Sequence, residues 1–355
     1  MKLFCILALT WLGWEPAFAQ VNFHVAFENL GAGTNSTTAN LGEALRSHAI
    51  AAAQSWTRWL AIDGPRSIEI LIRIAPTATG RGDGASQTSS FVRRDGAVNV
   101  FEQGLAAELR TGVDPNGSTA DVIFTLGPDY LRNQLWFDPD PLSRSATPPS
   151  NRIDAFSFFA HEFGHALVFN GWHDTATGKL PGDYASTYDT LSRYDGTNWW
   201  FRGATVLGLY GGELPLSRIN NTVPHYGNPP GGAAPGTEAA LVDGLMNGVV
   251  FRYGQRYAVG LLELAVARDA GLTLVPAVEF GAPQATLTMA SGGAGWKLSW
   301  TATPLSRYRV DAVSQLTGAW VRQSVQSYPD FVSGPMEYTE GGSTPTRFYR
   351  VRRTL

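Results

Sequence analysis

Three residues of the 355-residue chain carry the sharpest chemistry: His161, Glu162 and His165, in the order H-E-x-x-H. On a helix, side chains four positions apart share one face, one turn apart. Two imidazoles at that spacing can bind one Zn2+, and the carboxylate beside them can take a proton from water at the ion. The surrounding stretch, NRIDAFSFFAHEFGHALVFNGWH at 151–173, predicts that helix without reference to the motif. Asn151 and Asp154 read as an N-cap and its capping-box partner. Phe156, Phe159, Phe163 and Leu167 follow at three- and four-residue steps as an apolar stripe. Gly171 stands where a C-cap is expected. The bland reading of the same residues is a core helix bearing two surface histidines.

Catalytic zinc takes three protein ligands and keeps one position open. Two downstream histidines can supply the third, His173 just past the helix and His225 in Val223-Pro-His-Tyr-Gly227. The only cysteine, Cys5, falls in a segment expected to be removed, so the ligands must be His, Asp or Glu. Residues 1–19 read as a secretory signal: Lys2 is its positive start, Leu3–Leu12 its apolar segment and Ala17-Phe18-Ala19 its cleavage site. The mature protein is therefore expected to be secreted, extracellular or periplasmic. A net charge of −3 and a pI near 6.1 argue against a nucleic-acid or membrane-surface partner. No later run is long enough to span a bilayer.

The elements that must position the motif are legible in outline. Residues 21–27 alternate as a strand, with His24 on the outer face. Residues 41–60 read as an amphipathic helix with Leu41, Leu45, Ala52, Trp56 and Trp59 inward; His48 borders that face as a structural residue. Residues 67–75 make a strand with Ile68, Ile70, Ile72 and Ile74 on one side. Residues 76–90 read as a Gly/Ser/Thr loop, which contains Arg81-Gly82-Asp83, a weak match to an adhesion tripeptide. Residues 98–110 read as a strand running into a short helix, 114–117 as a turn and 120–126 as a further strand. The result is a small mixed sheet backed by two helices. Residues 170–224, rich in Gly, Asn, Asp and aromatics, read as a long loop beside the pocket. A helix is expected from Tyr257 to Ala270. After a linker at 277–284, six short alternating runs suggest a small β-sandwich over 285–355.

These features together resemble the metzincin zinc metallopeptidases, of the leishmanolysin-like kind, including secreted bacterial relatives with a similar HExxHALGFNGW motif. The residues that carry the resemblance are HEFGHALVF at 161–169, His225, Asp243-Gly-Leu-Met246 and Arg268-Asp-Ala-Gly271, in that order, within about 90–275. The resemblance implies an α+β fold, with a zincin catalytic domain over 20–276. It implies His161, His165 and His225 as Zn2+ ligands, Glu162 as general base, and Met246 packed beneath the ion. Val168 stands where the family has a turn-forming Gly, and Gly248 where some metzincins have a Tyr; Tyr226 is a substitute oxyanion donor. The runs around Trp296, Tyr308, Trp320 and Phe348 resemble fibronectin-type-III-like modules, which implies a role in binding a cell-surface or extracellular partner.

The expectation is thus a monomeric, secreted zinc endopeptidase acting on protein or peptide substrates. Two alternatives come from other classes: a binding or adhesion protein on a zincin scaffold, and a zinc hydrolase of a non-peptide bond.

Overall fold

A computed structural model describes residues 21–31, 38–217, 224–227, 241–249, 251–278, 280, 284–289, 295–302, 306–328, 334–341 and 347–354. The expected leader at 1–19, with Cys5, lies outside these residues, as do positions 279 and 281–283 of the linker.

The chain opens with β1 (Val21–Glu28), α1 (Thr38–Thr57) and β2 (Arg66–Ile74). α1 is rich in alanine, the strongest helix former, and buries Leu45, Ala49, Ala52 and Trp56 at three- and four-residue steps. In β2, Ile68, Ile70, Ile72 and Ile74 are all buried, as the period of two requires. β1 and β2 pair in parallel, and α1 is the crossover that such pairing needs. His24 is exposed, as expected.

β3 (Gly82–Ser86), β4 (Ser89–Asp95), β5 (Val98–Gln103), α2 (Gly104–Thr111) and β6 (Val122–Leu126) follow. The main sheet has the order β1-β2-β6-β3; β6 is parallel to β2, and β3 is antiparallel at the edge. The loop expected at 76–90 is therefore incorrect over much of its length. Its sequence, G-D-G-A-S, has little strand propensity, but its glycines alternate. A Cβ on Gly82 would fall 2.5 Å from the Phe158 ring, and one on Gly84 2.5 Å from the Glu162 Cβ. β3 is thus poor in side chains on one face because a helix lies against it.

That helix is α4 (Ala155–Leu167), reached through α3 (Pro128–Asn133), β7 (Leu135–Trp136) and β8 (Ile153–Asp154). Its N-cap is Asp154, whose Oδ2 accepts from Ser157 N at 3.0 Å and Ser157 Oγ at 2.6 Å. Asn151 does not have the capping role expected of it. Asp154 also pairs with Arg256 at 3.0 Å, so the cap is both charged and buried. The helix ends at Val168, with φ −155°, rather than at Gly171. Trp56 Nε1 donates to Ala160 O at 2.8 Å and ties α1 to α4.

Residues 170–217 are more ordered than the loop expected there, and 218–223 of that segment lie outside the described residues. β9 (Tyr184–Ser186), β10 (Ser192–Tyr194), β11 (Trp199–Phe201), α5 (Ala204–Tyr210) and β12 (Leu214–Pro215) occupy the segment. β9 extends the β4–β5 hairpin, and β10-β11-β12 form a small antiparallel sheet. Tyr188, Trp199, Phe201 and Tyr210 are buried, so much of the aromatic content is core. α6 (Leu261–Asp269) caps α5, with Asp269 accepting from Thr205 N and Val206 N at 2.8 and 2.9 Å.

The C-terminal segment contains β13 (Ala285–Met289), β14 (Gly295–Ala302), β15 (Ser306–Val313), β16 (Val321–Tyr328), β17 (Gly334–Gly341) and β18 (Phe348–Thr354). They form two antiparallel three-stranded sheets, β13-β14-β17 and β16-β15-β18. Leu298 and Trp300 of the first sheet share a core with Tyr308 and Val310 of the second. The chain as a whole is mixed α+β. Among the described residues no helix is long and apolar enough to cross a membrane.

Candidate metal centre

The two histidines of α4 project on one side, one turn apart, and His225 meets them from far downstream. The three Nε2 atoms lie 3.0 Å (His161–His225), 2.9 Å (His165–His225) and 3.2 Å (His161–His165) apart. His161 Nδ1 bonds Leu245 O at 2.7 Å, and His165 Nδ1 bonds Phe169 O at 2.7 Å. A carbonyl only accepts, so each Nδ1 carries its ring's proton. The Nε2 atoms of these two rings are then bare, and their lone pairs face one another. Burial, and for His161 also the neighbouring His165, pushes both imidazoles below their ordinary pKa, His161 to about 3. The rings are therefore neutral at pH 7, the state in which imidazole ligates a metal.

This arrangement fits zinc. Four ligands placed tetrahedrally at a Zn–N distance of about 2.0–2.1 Å stand about 3.3 Å from one another. The observed spacings are within a few tenths of an ångström of that. Without a cation among them, facing lone pairs at this distance repel. The carbonyl partners on Nδ1 are the outer contacts that fix the tautomer and aim the ring in metal-binding histidines.

One turn of backbone supports both halves of the triangle. Leu245 O holds His161. Tyr226 N donates to Met246 O at 3.2 Å, Gly248 N to Tyr226 O at 2.9 Å, and Ser217 N to His225 O at 2.8 Å, so the His225 segment is strapped to the same turn. Met246 is fully buried against α4 at Gly164, between the two helical histidines. A Cβ on Gly248 would fall 2.7 Å from the His225 Cβ, so position 248 admits no tyrosine. The turn itself hangs on Glu263: Tyr226 Oη and Met246 N both donate to its Oε1, and Gly260 N to its Oε2. Tyr226 is thus committed to Glu263 in the core, which corrects its expected availability as an oxyanion donor.

Glu162 is buried on α4 beside β3. Burial first, and then Asp83, push its carboxyl well above the ordinary value, while the Gly84 N–H opposes them. Val168 turns the chain without a positive φ, and Phe169 N bonds back to Gly164 O at 2.9 Å, which brings Phe169 O to His165. Glycine is not needed at 168.

The other histidines lie elsewhere. His173 Nδ1 bonds Asp189 Oδ1 at 2.8 Å and its ring tilts against Trp199. His48 is buried, donating from Nδ1 to Ala44 O while its Nε2 accepts from Asp138 N. Sequence reasoning did not find the edge strand β3, the Glu263 strut or Gly164 as a contact. The alternating glycines of 82–84 and the glycine inside the H-E-x-x-H motif were the available signals.

In comparisons with known proteins, no family model, curated protein or solved structure matches the chain.

Proposed function

We propose that this protein is an exported zinc endopeptidase of the metzincin type, with His161, His165 and His225 as the zinc ligands. The observation that carries the reading is the convergence of three part-buried imidazole Nε2 atoms within 3.2 Å of one another. The Met246 turn beneath them and the intact Glu162 support it. Zinc held by His161, His165 and His225 would supply Lewis acidity toward a scissile carbonyl and toward the attacking water. Glu162 takes the water proton and passes it to the departing amine nitrogen. β3 is the edge strand of the main sheet and lies beside Glu162, and an extended peptide can add to such an edge as a further strand. The two C-terminal sheets read as a β-sandwich module for a cell-surface or extracellular partner. The resemblance to leishmanolysin-like enzymes is part of this proposal.

The test is hydrolysis of unfolded casein by the full chain, with and without a chelator, beside Glu162→Ala. Cleavage that chelation abolishes, zinc restores and Glu162→Ala reduces by about 10²–10⁴-fold supports the reading. One bound zinc per chain with casein intact replaces it with the binding-protein alternative.

A further inference from the structure

A second group of potential ligands lies away from the histidines. Glu108 on α2, Asp114 in the following turn and Asp121 just before β6 each bring a carboxylate oxygen within 4.8 Å of the others. Asp121 is fully buried and Glu108 nearly so. Asp121 Oδ2 accepts from Glu69 N at 2.7 Å, but its Oδ1 is buried without a partner. Glu108 Oε2 is likewise buried and unpartnered. Asp114 is held in place through Oδ1, which accepts from Asn116 N and Gly117 N at 2.8 and 2.7 Å.

The nearby cation does not compensate these charges. Arg66 lies against this end of α2, yet its Nε bonds Glu108 O and Leu109 O, and its Nη1 bonds Gly64 O and Pro65 O. These donors go to backbone carbonyls rather than to the carboxylates. Two buried acceptor oxygens that face each other without a donor require either a proton between them or a cation. The donor set is all oxygen and carries a formal charge of up to −3. That chemistry selects a hard divalent ion over zinc. A calcium sphere with Ca–O distances of about 2.3–2.6 Å spans roughly 3–5 Å between ligand oxygens, which matches the observed cluster. Magnesium demands a stricter octahedron and parts with water reluctantly.

We propose that Glu108, Asp114 and Asp121 form a Ca2+ site that clamps α2 to the turn at 114–117 and the start of β6. Asp121 O also accepts from Gln87 N at 3.0 Å, just past β3, so the clamp steadies the strand beside Glu162. The site is independent of the histidine centre and of the peptidase reading. The competing explanation is a proton shared between Glu108 and Asp121; burial first, and then Asp121, push the Glu108 carboxyl up to about 8.

The experiment is calorimetric titration of CaCl2 into the zinc-loaded full chain at neutral pH, paired with thermal melts. One equivalent of Ca2+ is expected, with a Kd below about 1 mM. At tenfold excess over Kd the melting midpoint should rise by about 2 °C. Asp121→Asn and Glu108→Gln should each weaken binding at least about tenfold and remove that rise, by analogy with charge-count tuning of calcium sites. His161→Ala should leave Ca2+ binding intact. No binding and no midpoint shift at about 10 mM Ca2+ would overturn the proposal, since even weak sites of this kind fill there. A midpoint raised by Glu108→Gln, in a parent chain that ignores Ca2+, would establish the shared proton instead. Should a variant fail to fold, the titration of the unaltered chain alone decides.

Discussion

Gly164 and Met246 are in direct contact: a Cβ on Gly164 would lie 2.6 Å from the Met246 sulfur and 2.9 Å from the Trp56 ring. The glycine inside H-E-x-x-H is therefore a packing residue, and the turn that holds His161 through Leu245 O rests directly on it. Gly164→Ala must push the turn away from α4. Overpacking of this kind costs about 1–3 kcal/mol. The displaced Leu245 carbonyl should also weaken zinc by about 10–100-fold, as loss of an outer ligand contact does. Zinc retention against a competing chelator and a thermal melt measure both effects. Gly208→Ala is the control. It lies on the exposed face of α5 with nothing within 4 Å, and should stabilise by about 0.5–1 kcal/mol without touching zinc.

The third ligand is tested by comparing two histidines. His225→Ala should lose zinc by more than the about 10–100-fold of an outer contact, because it removes a ligand itself. His173→Ala should retain zinc. Its loss leaves Asp189 with one fewer donor and should cost about 1–3 kcal/mol of stability. Equal zinc loss in the two variants would defeat the assignment.

The sequence made α4 legible because its signal is local. Phe156, Phe159, Phe163 and Leu167 repeat at helical steps, and His161 and His165 need only one turn to meet. The convergence of His225 was not local. It depends on backbone bonds that join Tyr226 to the turn at Met246 and Gly248, and Ser217 to His225, and backbone bonds leave little trace in side-chain pattern. β3 was hidden for a different reason. A strand facing a close helix sheds its side chains, and with them the propensity by which strands are recognised. Asn151 and Gly171 read as caps in sequence because capping residues are common in loops. Only the Ser157 contact singles out Asp154, and Gly171 sits where its missing Cβ makes room for Asp189. The aromatic-rich segment 170–224 reads as a loop beside the pocket, yet Tyr188, Trp199 and Phe201 are core. Composition alone does not separate the two roles.

Tyr226 separates support from chemistry. Its hydroxyl is buried on Glu263, so Tyr226→Phe should leave turnover within about threefold, whereas removing an oxyanion donor costs about 10²–10³ in kcat. The stability cost should be about 1–3 kcal/mol, because Glu263 loses one of its donors. Glu263→Ala should be worse in both respects, since it frees the Tyr226 hydroxyl and the Met246 and Gly260 N–H groups together. A kcat loss of a hundredfold in Tyr226→Phe, with zinc and melting midpoint unchanged, would restore it to the reaction.

Asp189 gives the segment after α4 a defined response to acid. Burial alone would raise its carboxyl, but His173, and then the N–H groups of Ser186 and Trp172, outweigh burial and hold it below its ordinary value of 3.8. A carboxyl whose folded pKa lies below its unfolded one contributes stability at every pH above the unfolded value. That contribution fades as pH falls through the folded one. Asp189→Asn keeps one acceptor oxygen but loses the charge. At pH 7 it should destabilise by about 1.5–3 kcal/mol, the range for hydrogen bonds to a charged group. The difference between parent and variant should then shrink steadily below a pH of about 4. Urea unfolding of both proteins across that range measures the gap. A gap that stays constant down to pH 2 would show that the charge on Asp189 contributes nothing, and that its oxygens act only as neutral acceptors for Trp172, Ser186 and His173.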